Sequence, residues 1–147
     1  MATHVRDVMT TRPRGVTRET RLSEVAEVME AEDVGAIPIL DGEQLVGMIT
    51  DRDIVVRAIA RGLDPNETRV SAIASRDMFS IQPEQDLDDA LHLMARHQVR
   101  RLPVVDQDDR LVGIVSQADV ALHEKDKTTG GLVEVISRPH EGPRVTE

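Results

Sequence analysis

The sequence predicts an α+β (α/β) fold built from two pseudo-symmetric β-α-β-β-α repeats that pack sheet to sheet. Two observations predict it: an internal repeat with a nearly constant spacing, and an alternation of helix-type and strand-type apolar periods within each copy. One such unit cannot cover its own sheet. We therefore expect the two copies to form one body about a pseudo-two-fold axis.

The internal repeat sets the organisation of the 147-residue chain. Residues 34–41 recur as 99–106, with Pro38 and Pro103 65 residues apart, and residues 45–53 recur as 111–119 with a spacing of 66. The extra residue falls in a turn, where insertions are tolerated. We expect a first repeat over residues 5–62, a connector over 63–69, a second repeat over 70–124 and a C-terminal segment over 125–147 whose end is disordered.

A helix in each copy follows from its apolar spacing. Apolar residues recur at i, i+3, i+4 and i+7, which is the pattern of an amphipathic helix. They are Leu22, Val25, Ala26 and Met29 in the first copy and Leu87, Ala90, Leu91 and Met94 in the second. Val16 and Ile81 keep the same spacing upstream, where the first strand of each unit falls.

Two short apolar runs follow each helix and predict a β-hairpin. Pro38 and Pro103 lack a backbone N–H, so each belongs at a strand start or a sheet edge. The second strand of each hairpin then runs into another helix, over residues 51–60 in the first copy and from residue 117 to about residue 122 in the second.

The composition excludes several classes of protein. The formal net charge is −9, from 18 Lys and Arg against 27 Asp and Glu, and the chain has no Cys, Trp or Tyr and a single Phe. Without cysteine there is no disulfide, thiolate metal site or thiol nucleophile. An acidic surface with almost no aromatic residues disfavours nucleic acid as a partner. No signal-peptide region and no run of ~18 apolar residues is visible, so we expect a cytoplasmic protein without a membrane partner.

Two short motifs at strand-to-helix junctions could carry chemistry: Thr50-x-x-Asp53 and its repeat Ser116-x-x-Asp119. A hydroxyl followed three residues later by an acid is a common helix cap, and a single occurrence favours that interpretation. A helix start also offers N–H groups and a hydroxyl to an anion, while a carboxylate accepts hydrogen bonds from a diol such as that of ribose. The cap and a nucleoside-phosphate site can coexist, and the residues leave both open.

The segment before each proline distinguishes the two copies. Arg100 and Arg101 could hold a phosphate with bidentate geometry, and a solvated pair on an acidic surface is an equal alternative. The first copy has Gly35 and Ala36 in these positions, and its nearest cation is Arg52. The second copy is therefore the better candidate for binding a phosphate.

Neither a catalytic nor a metal site is expected. No constellation of nucleophile, base and orienting group stands out. The five histidines are scattered, and His92 and His97 are five residues apart, which is a poor spacing for one helical face. Exposed histidines are the simpler interpretation.

The repeated pattern P-h-h-D followed by G-h-h-[ST]-x-x-D, where h is apolar, resembles the cystathionine β-synthase (CBS) domain. The match covers about residues 5–122, and two CBS domains in tandem resemble a Bateman module. Residues 50–55 and 62–66 are also similar to stand-alone two-repeat CBS proteins of the hypoxic-response type.

This resemblance implies a regulatory module that binds an adenosine-type ligand in clefts between the repeats, with no obligatory cofactor and no catalysis. The ligand class includes AMP, ADP, ATP and S-adenosylmethionine. The preferred site would use Thr10, Arg100, Arg101, Leu102, Pro103, Ser116 and Asp119. The pseudo-symmetric second site would use Ala36, Ile37, Pro38, Thr50, Asp53 and Ser75, and it lacks the two arginines.

The resemblance also implies a homodimer and a regulated protein whose identity the sequence does not give. Apolar residues of the two helices that follow the hairpins are candidate dimer contacts, although the monomer core could bury some of them. They are Ile54, Val55, Ala58, Ile59, Val120, Ala121 and Leu122. The alternative function is a ligand-free dimerisation or scaffold protein, for example in a stress or hypoxic response, whose motifs serve only as helix caps.

Overall fold

The elements follow the predicted order along residues 3–74 and 78–128, which a computed structural model describes. The strands are β1 (Thr10–Thr11), β2 (Ala36–Asp41), β3 (Gln44–Thr50), β4 (Arg101–Val105) and β5 (Leu111–Ser116). The helices are α1 (Leu22–Glu32), α2 (Asp51–Ile54), α3 (Val70–Ile73), α4 (Leu87–His97) and α5 (Gln117–Thr128). A 3-10 turn covers Val5–Asp7, and α2 continues as a π-helical turn over Val55–Ile59.

The strands form two antiparallel hairpins, as predicted. Strands β2 and β3 make one sheet, while β4 and β5 take β1 as a third strand in the order β1-β5-β4. The expected first strand of each unit is reduced to a single parallel bridge, Val16 with Ile39 and Ile81 with Val104. Pro103 lies in the edge strand β4, which confirms its predicted place at a sheet edge.

Helices α1 and α4 form because their apolar stripes face the core. Residues at the predicted spacing are buried, among them Leu22 and Met29 in α1 and Leu87 and Met94 in α4. Each helix ends at a residue in the left-handed conformation, Asp33 with φ 56° and Gln98 with φ 55°. The two C-caps are 65 residues apart, so the repeat extends to the helix ends.

The segment at the head of each repeat packs into the core of the other one. Val5 lies in the cluster that contains Leu102, whereas Val70 lies in the cluster that contains Ile37. The exchange is reciprocal in its hydrogen bonds, since the Val5 N–H donates to the Gln85 carbonyl at 2.8 Å and the Val70 N–H to the Thr20 carbonyl at 2.9 Å. Neither core is complete without a segment from the other half of the chain.

The two hairpins meet at their turns, and this contact is also symmetric. The Leu45 N–H donates to the Asp109 carbonyl at 3.0 Å, and the Leu111 N–H donates to the Glu43 carbonyl at 2.9 Å. The two donors are 66 residues apart, and so are the two acceptors. This is the spacing of the repeat after the inserted turn residue. The contact confirms a pseudo-two-fold relation between the repeats.

The predicted dimer residues divide into two groups, and part of that prediction is wrong. Ile54, Ala58 and Val120 are buried in the monomer core, since they lie on the inner faces of their helices. Val55 and Leu122 are instead 57% and 55% exposed. Within the described residues no helix is long and apolar enough to cross a membrane.

Candidate functional site

The second strand-to-helix junction, from β5 to α5, forms a complete capping box. The Asp119 N–H donates to Ser116 Oγ at 3.0 Å, and the Ser116 N–H donates to Asp119 Oδ2 at 3.4 Å. Ser116 is buried and Asp119 is half-buried. The cap interpretation of this motif is confirmed, and it uses one carboxylate oxygen of Asp119.

The first junction, from β3 to α2, forms the same cap, and its bond to the carboxylate is shorter. The Asp53 N–H donates to Thr50 Oγ1 at 3.0 Å, and the Thr50 N–H donates to Asp53 Oδ2 at 3.0 Å. Here too the cap occupies one oxygen of the acid. The other oxygen, Oδ1, lies outside the cap, so what surrounds Oδ1 affects how available each junction is to a ligand.

The structure brings the predicted residues of the preferred site to one end of the β1-β5-β4 sheet. Thr10 and Pro103 lie on either side of Ile114, and Arg101 lies opposite Ser116 in the ladder. The Arg100 carbonyl accepts the N–H of the first residue of α5 at 2.7 Å, which fixes the backbone of this arginine beside the helix start. The remaining predicted residue, Leu102, has its side chain in the core, so only its backbone can face a ligand.

The described residues of the predicted second site are brought together in the same way. Ala36 lies opposite Thr50, and Pro38 lies opposite Met48 in the β2-β3 hairpin. The side chain of Ile37 is buried in the core, which again leaves its backbone. Ser75 lies outside the described residues.

Two residues near the first junction were missed by the sequence analysis. A Cβ added to Gly35 would lie 2.9 Å from Asp51 Oδ2, so the carboxylate of Asp51 covers the position that an arginine holds in the second repeat. Arg57 Nε lies 3.9 Å from Asp53 Oδ1. An acid followed by an arginine four residues later is the usual signal of a helical ion pair, and it could have found this contact.

Two surface cavities lie away from both junctions. One of about 440 Å³ is lined by α1 and by the segment before it, including Gly15, Thr20 and Glu24. Another of about 360 Å³ occupies the equivalent position beside α4, with Gln85 and Asp89 in its wall. Neither contains a residue of the predicted sites. The described part of the chain has no group of three or more His, Asp or Glu residues that could hold a metal ion.

The chain is a tandem-repeat module. It consists of two pseudo-symmetric hairpin-and-helix units that exchange their head segments, and each unit has a capping box at its strand-to-helix junction. The family model for the CBS domain matches twice, over residues 5–59 and 70–125. The chain therefore belongs to the CBS domain family and carries a tandem pair.

The chain is similar to hypoxic response protein 1 of Mycobacterium tuberculosis, with 38% identity over 138 residues that cover 93% of this chain and 96% of the relative. A crystal structure of that protein with two coordinated zinc ions matches with a TM-score of 0.76 and 40% identity, over 82% of this chain and 98% of the other. The structure of CBSX2 in complex with AMP matches with a TM-score of 0.74 and 25% identity, over 85% of this chain and 98% of the other. The structure of the CBS domain pair of MJ0100, in complex with 5-methylthioadenosine and S-adenosylmethionine, matches with a TM-score of 0.74 and 26% identity. The match covers 86% of this chain and 99% of the other.

Proposed function

We propose that the protein is a non-catalytic regulatory module of the cytoplasm that binds an adenosine-type ligand, with AMP, ADP, ATP and S-adenosylmethionine as the candidates. The preferred cleft is the junction of β5 and α5, where Asp119 holds the ribose. Arg100 and Arg101 supply the charge for a phosphate. Bound adenosine ligands in two CBS-pair structures of similar fold support this assignment.

The observation that carries the proposal is the state of the Asp119 carboxylate. Its Oδ2 accepts the long 3.4 Å cap bond, and among the described residues Asp119 forms no ion pair. A half-buried carboxylate with an oxygen outside the cap is a strong acceptor for two hydroxyls of a ribose. Ser116 adds a hydroxyl at the same place.

The adenine ring would rest on aliphatic side chains and backbone. The chain has no Trp or Tyr, and its one Phe, Phe79, stacks on His97 with ring centroids 4.0 Å apart. Ligand pockets are mostly apolar, and aliphatic walls can serve as well as rings. We therefore expect affinity to depend more on ribose and phosphate contacts than on stacking.

Calorimetric titration of the full chain with AMP, ATP and S-adenosylmethionine tests the proposal. A free ligand at 100 times its Kd should stabilise the folded state by about 2.7 kcal/mol, which a thermal-shift assay detects independently. Asp119→Asn should weaken binding about tenfold or more, because a carboxylate is a stronger acceptor than an amide. The matched variant Asp53→Asn should have a smaller effect. Absence of binding by all three ligands at millimolar concentration would contradict the proposal.

A ligand-free dimerisation or scaffold function is the second candidate, and the exposed apolar face of the π-helical turn favours it. Val55, Val56 and Ile59 are exposed there, and Leu63 continues the patch. Contiguous apolar surface of this kind typically marks a protein contact, and a second copy is the partner that symmetry favours. A homodimer by light scattering that Ile59→Glu dissociates, with no response to adenosine ligands, would support the scaffold over the sensor. Arg61→Glu is the control for added charge.

A further inference from the structure

The carboxylate of Asp53 is already engaged by an arginine of its own helix. Arg57 Nε lies 3.9 Å from Asp53 Oδ1, and the same guanidinium donates through Nη1 to the Ile73 carbonyl at 3.2 Å. The two side chains of the pair are 42% and 15% exposed. Asp53 therefore has Oδ2 in the cap and Oδ1 near a cation that a hydrogen bond to the Ile73 carbonyl holds in place.

The equivalent position of the second repeat is different. His123 stands four residues after Asp119, as Arg57 stands four residues after Asp53. Its Nε2 lies 3.3 Å from Thr3 Oγ1, so this side chain is engaged with the N-terminal segment. Both residues contact the segment donated by the other repeat, but only Arg57 also faces the carboxylate.

An arginine beside an acceptor competes with any ligand that would donate to the same oxygen. A guanidinium carries five N–H donors and no acceptor, and a ribose diol would donate two O–H groups to the carboxylate. A half-exposed ion pair changes such a competition by up to about fivefold. Arg57 also holds Ile73, which lies at the end of α3. Removing the guanidinium would therefore both free Oδ1 and release that segment.

We infer that Arg57 is a specificity-determining residue that weakens ribose binding at the first cleft. This inference rests on the proposed function, because it uses the same carboxylate chemistry at the pseudo-symmetric junction. The cleft of the second repeat stays available because the arginine is replaced by a histidine that contacts Thr3. The protein then presents two capping boxes of equal form whose carboxylates differ in their affinity for ribose.

The experiment follows each cleft separately by NMR of the 15N-labelled full chain. Adenosine and AMP are titrated while the backbone amide signals of Asp53 and Asp119 are recorded, since each amide lies in the cap of one cleft. The variants are Arg57→Gln, Arg57→Lys and, one turn further on, the control Arg61→Gln. The converse variant His123→Arg adds a guanidinium to the second junction. Thermal unfolding verifies that each variant is folded.

We expect adenosine to shift the Asp119 signal at lower concentration than the Asp53 signal in the unmodified chain. Arg57→Gln should tighten adenosine binding at the first cleft about fivefold, whereas Arg57→Lys and the control stay within about twofold of the unmodified chain. His123→Arg should weaken adenosine at the second cleft by a similar factor. Adenosine carries no phosphate, so these changes report on competition for the ribose acceptor.

Equal adenosine affinities of the first cleft in the unmodified chain and in Arg57→Gln would overturn the inference and leave the proposed function standing. Weaker AMP binding at the first cleft in Arg57→Gln, with adenosine unchanged, would also overturn it, because Arg57 would then be a phosphate ligand. A silent Asp119 signal in every titration would overturn the preferred cleft, while a gain at Asp53 in Arg57→Gln would still support the inference. No shift at either cleft in any variant would overturn both.

Discussion

The two strand-to-helix junctions carry the same cap in different surroundings. In both, an acid three residues after a hydroxyl closes a capping box with one carboxylate oxygen. At the first junction, Arg57 and Asp51 approach the cap and its neighbouring glycine. At the second, an arginine pair stands beside the helix start and no cation pairs with Asp119 within the described residues. Two sites with one motif can therefore differ in availability through residues outside the motif.

The two junctions also differ in their local charge. The first junction holds two acids, Asp51 and Asp53, and Arg57 is paired with the second of them. The exposed Arg52 is its other cation, so the charges of this junction balance. The second holds Arg100 and Arg101 against a single acid. On a chain with a net charge of −9, this local excess is what would attract an anion.

The largest effect is expected from the matched core variants Leu22→Ala and Leu87→Ala. Both leucines begin a helix and are buried, so each variant should lose about 2–5 kcal/mol of unfolding free energy. Because each core contains a segment from the other repeat, we expect one cooperative transition in chemical denaturation for both variants. Two separate transitions would show that the repeats fold independently and would break the symmetry argument.

The glycines beside the clefts should respond unequally to alanine. A Cβ on Gly113 would lie 2.7 Å from Met9 Sδ and 2.9 Å from the Thr10 carbonyl, so Gly113→Ala should push β1 away from β5 and cost about 1–3 kcal/mol. It should also weaken ligand binding at the preferred cleft, because Thr10 moves. Gly35→Ala meets only the end of the exposed Asp51 side chain, which can rotate. The unfolding free energy of Gly35→Ala should stay within about 0.5 kcal/mol of that of the unmodified chain. An equal loss of unfolding free energy in both variants would contradict this account.

Removing the cap hydroxyls separates stability from binding. Thr50→Ala and Ser116→Ala each take away the acceptor of one first-turn N–H, and each should cost about 1 kcal/mol of unfolding free energy. Only Ser116→Ala should also lower the affinity for adenosine, as measured by titration calorimetry. Equal losses of affinity in the two variants would mean that both clefts bind and would contradict the proposed asymmetry.

Most of the fold was predictable because it rests on periodicity. The spacing of Leu22 and Leu87 within their helices, the hairpins and both caps follow from local patterns, and the structure confirms them. The exchange of head segments was missed, since Val5 and Val70 lie in short apolar segments without a clear helical or strand period. Nothing in their immediate neighbourhood indicates which of the two cores they enter.

The candidate site was predictable in its motif but not in its surroundings. The register of the hairpin brings Arg101 opposite Ser116, and a sequence pattern can anticipate such pairing. The carboxylate of Asp51 covers Gly35 because of the direction of its side chain. Arg57 contacts Ile73, which lies 16 residues further along the chain. Part of the predicted dimer face was wrong for a related reason, since three of its seven residues are buried. Ile54 and Val55 are adjacent and apolar, and only packing shows that the first is buried and the second exposed.

The smallest effect on stability, and the finest test of the comparison, is expected from Arg101→Gln. Arg101 is half-buried at the start of β4 and forms no ion pair within the described residues, so its removal should change the unfolding free energy by less than about 0.5 kcal/mol. AMP affinity should fall by up to about fivefold, because a partly exposed charge pair is screened by water, and adenosine affinity should stay constant. The loss should shrink as salt rises from about 0.05 to about 0.5 M, since counterions screen the phosphate from the arginine.

The matched variant that adds a cation is Ala36→Arg, because Ala36 is the equivalent residue of β2. It should strengthen AMP binding at the first cleft without affecting adenosine binding. Loss of adenosine affinity in Arg101→Gln would instead show that this arginine positions the backbone of the cleft, and the charge difference between the junctions would then not explain their unequal affinity.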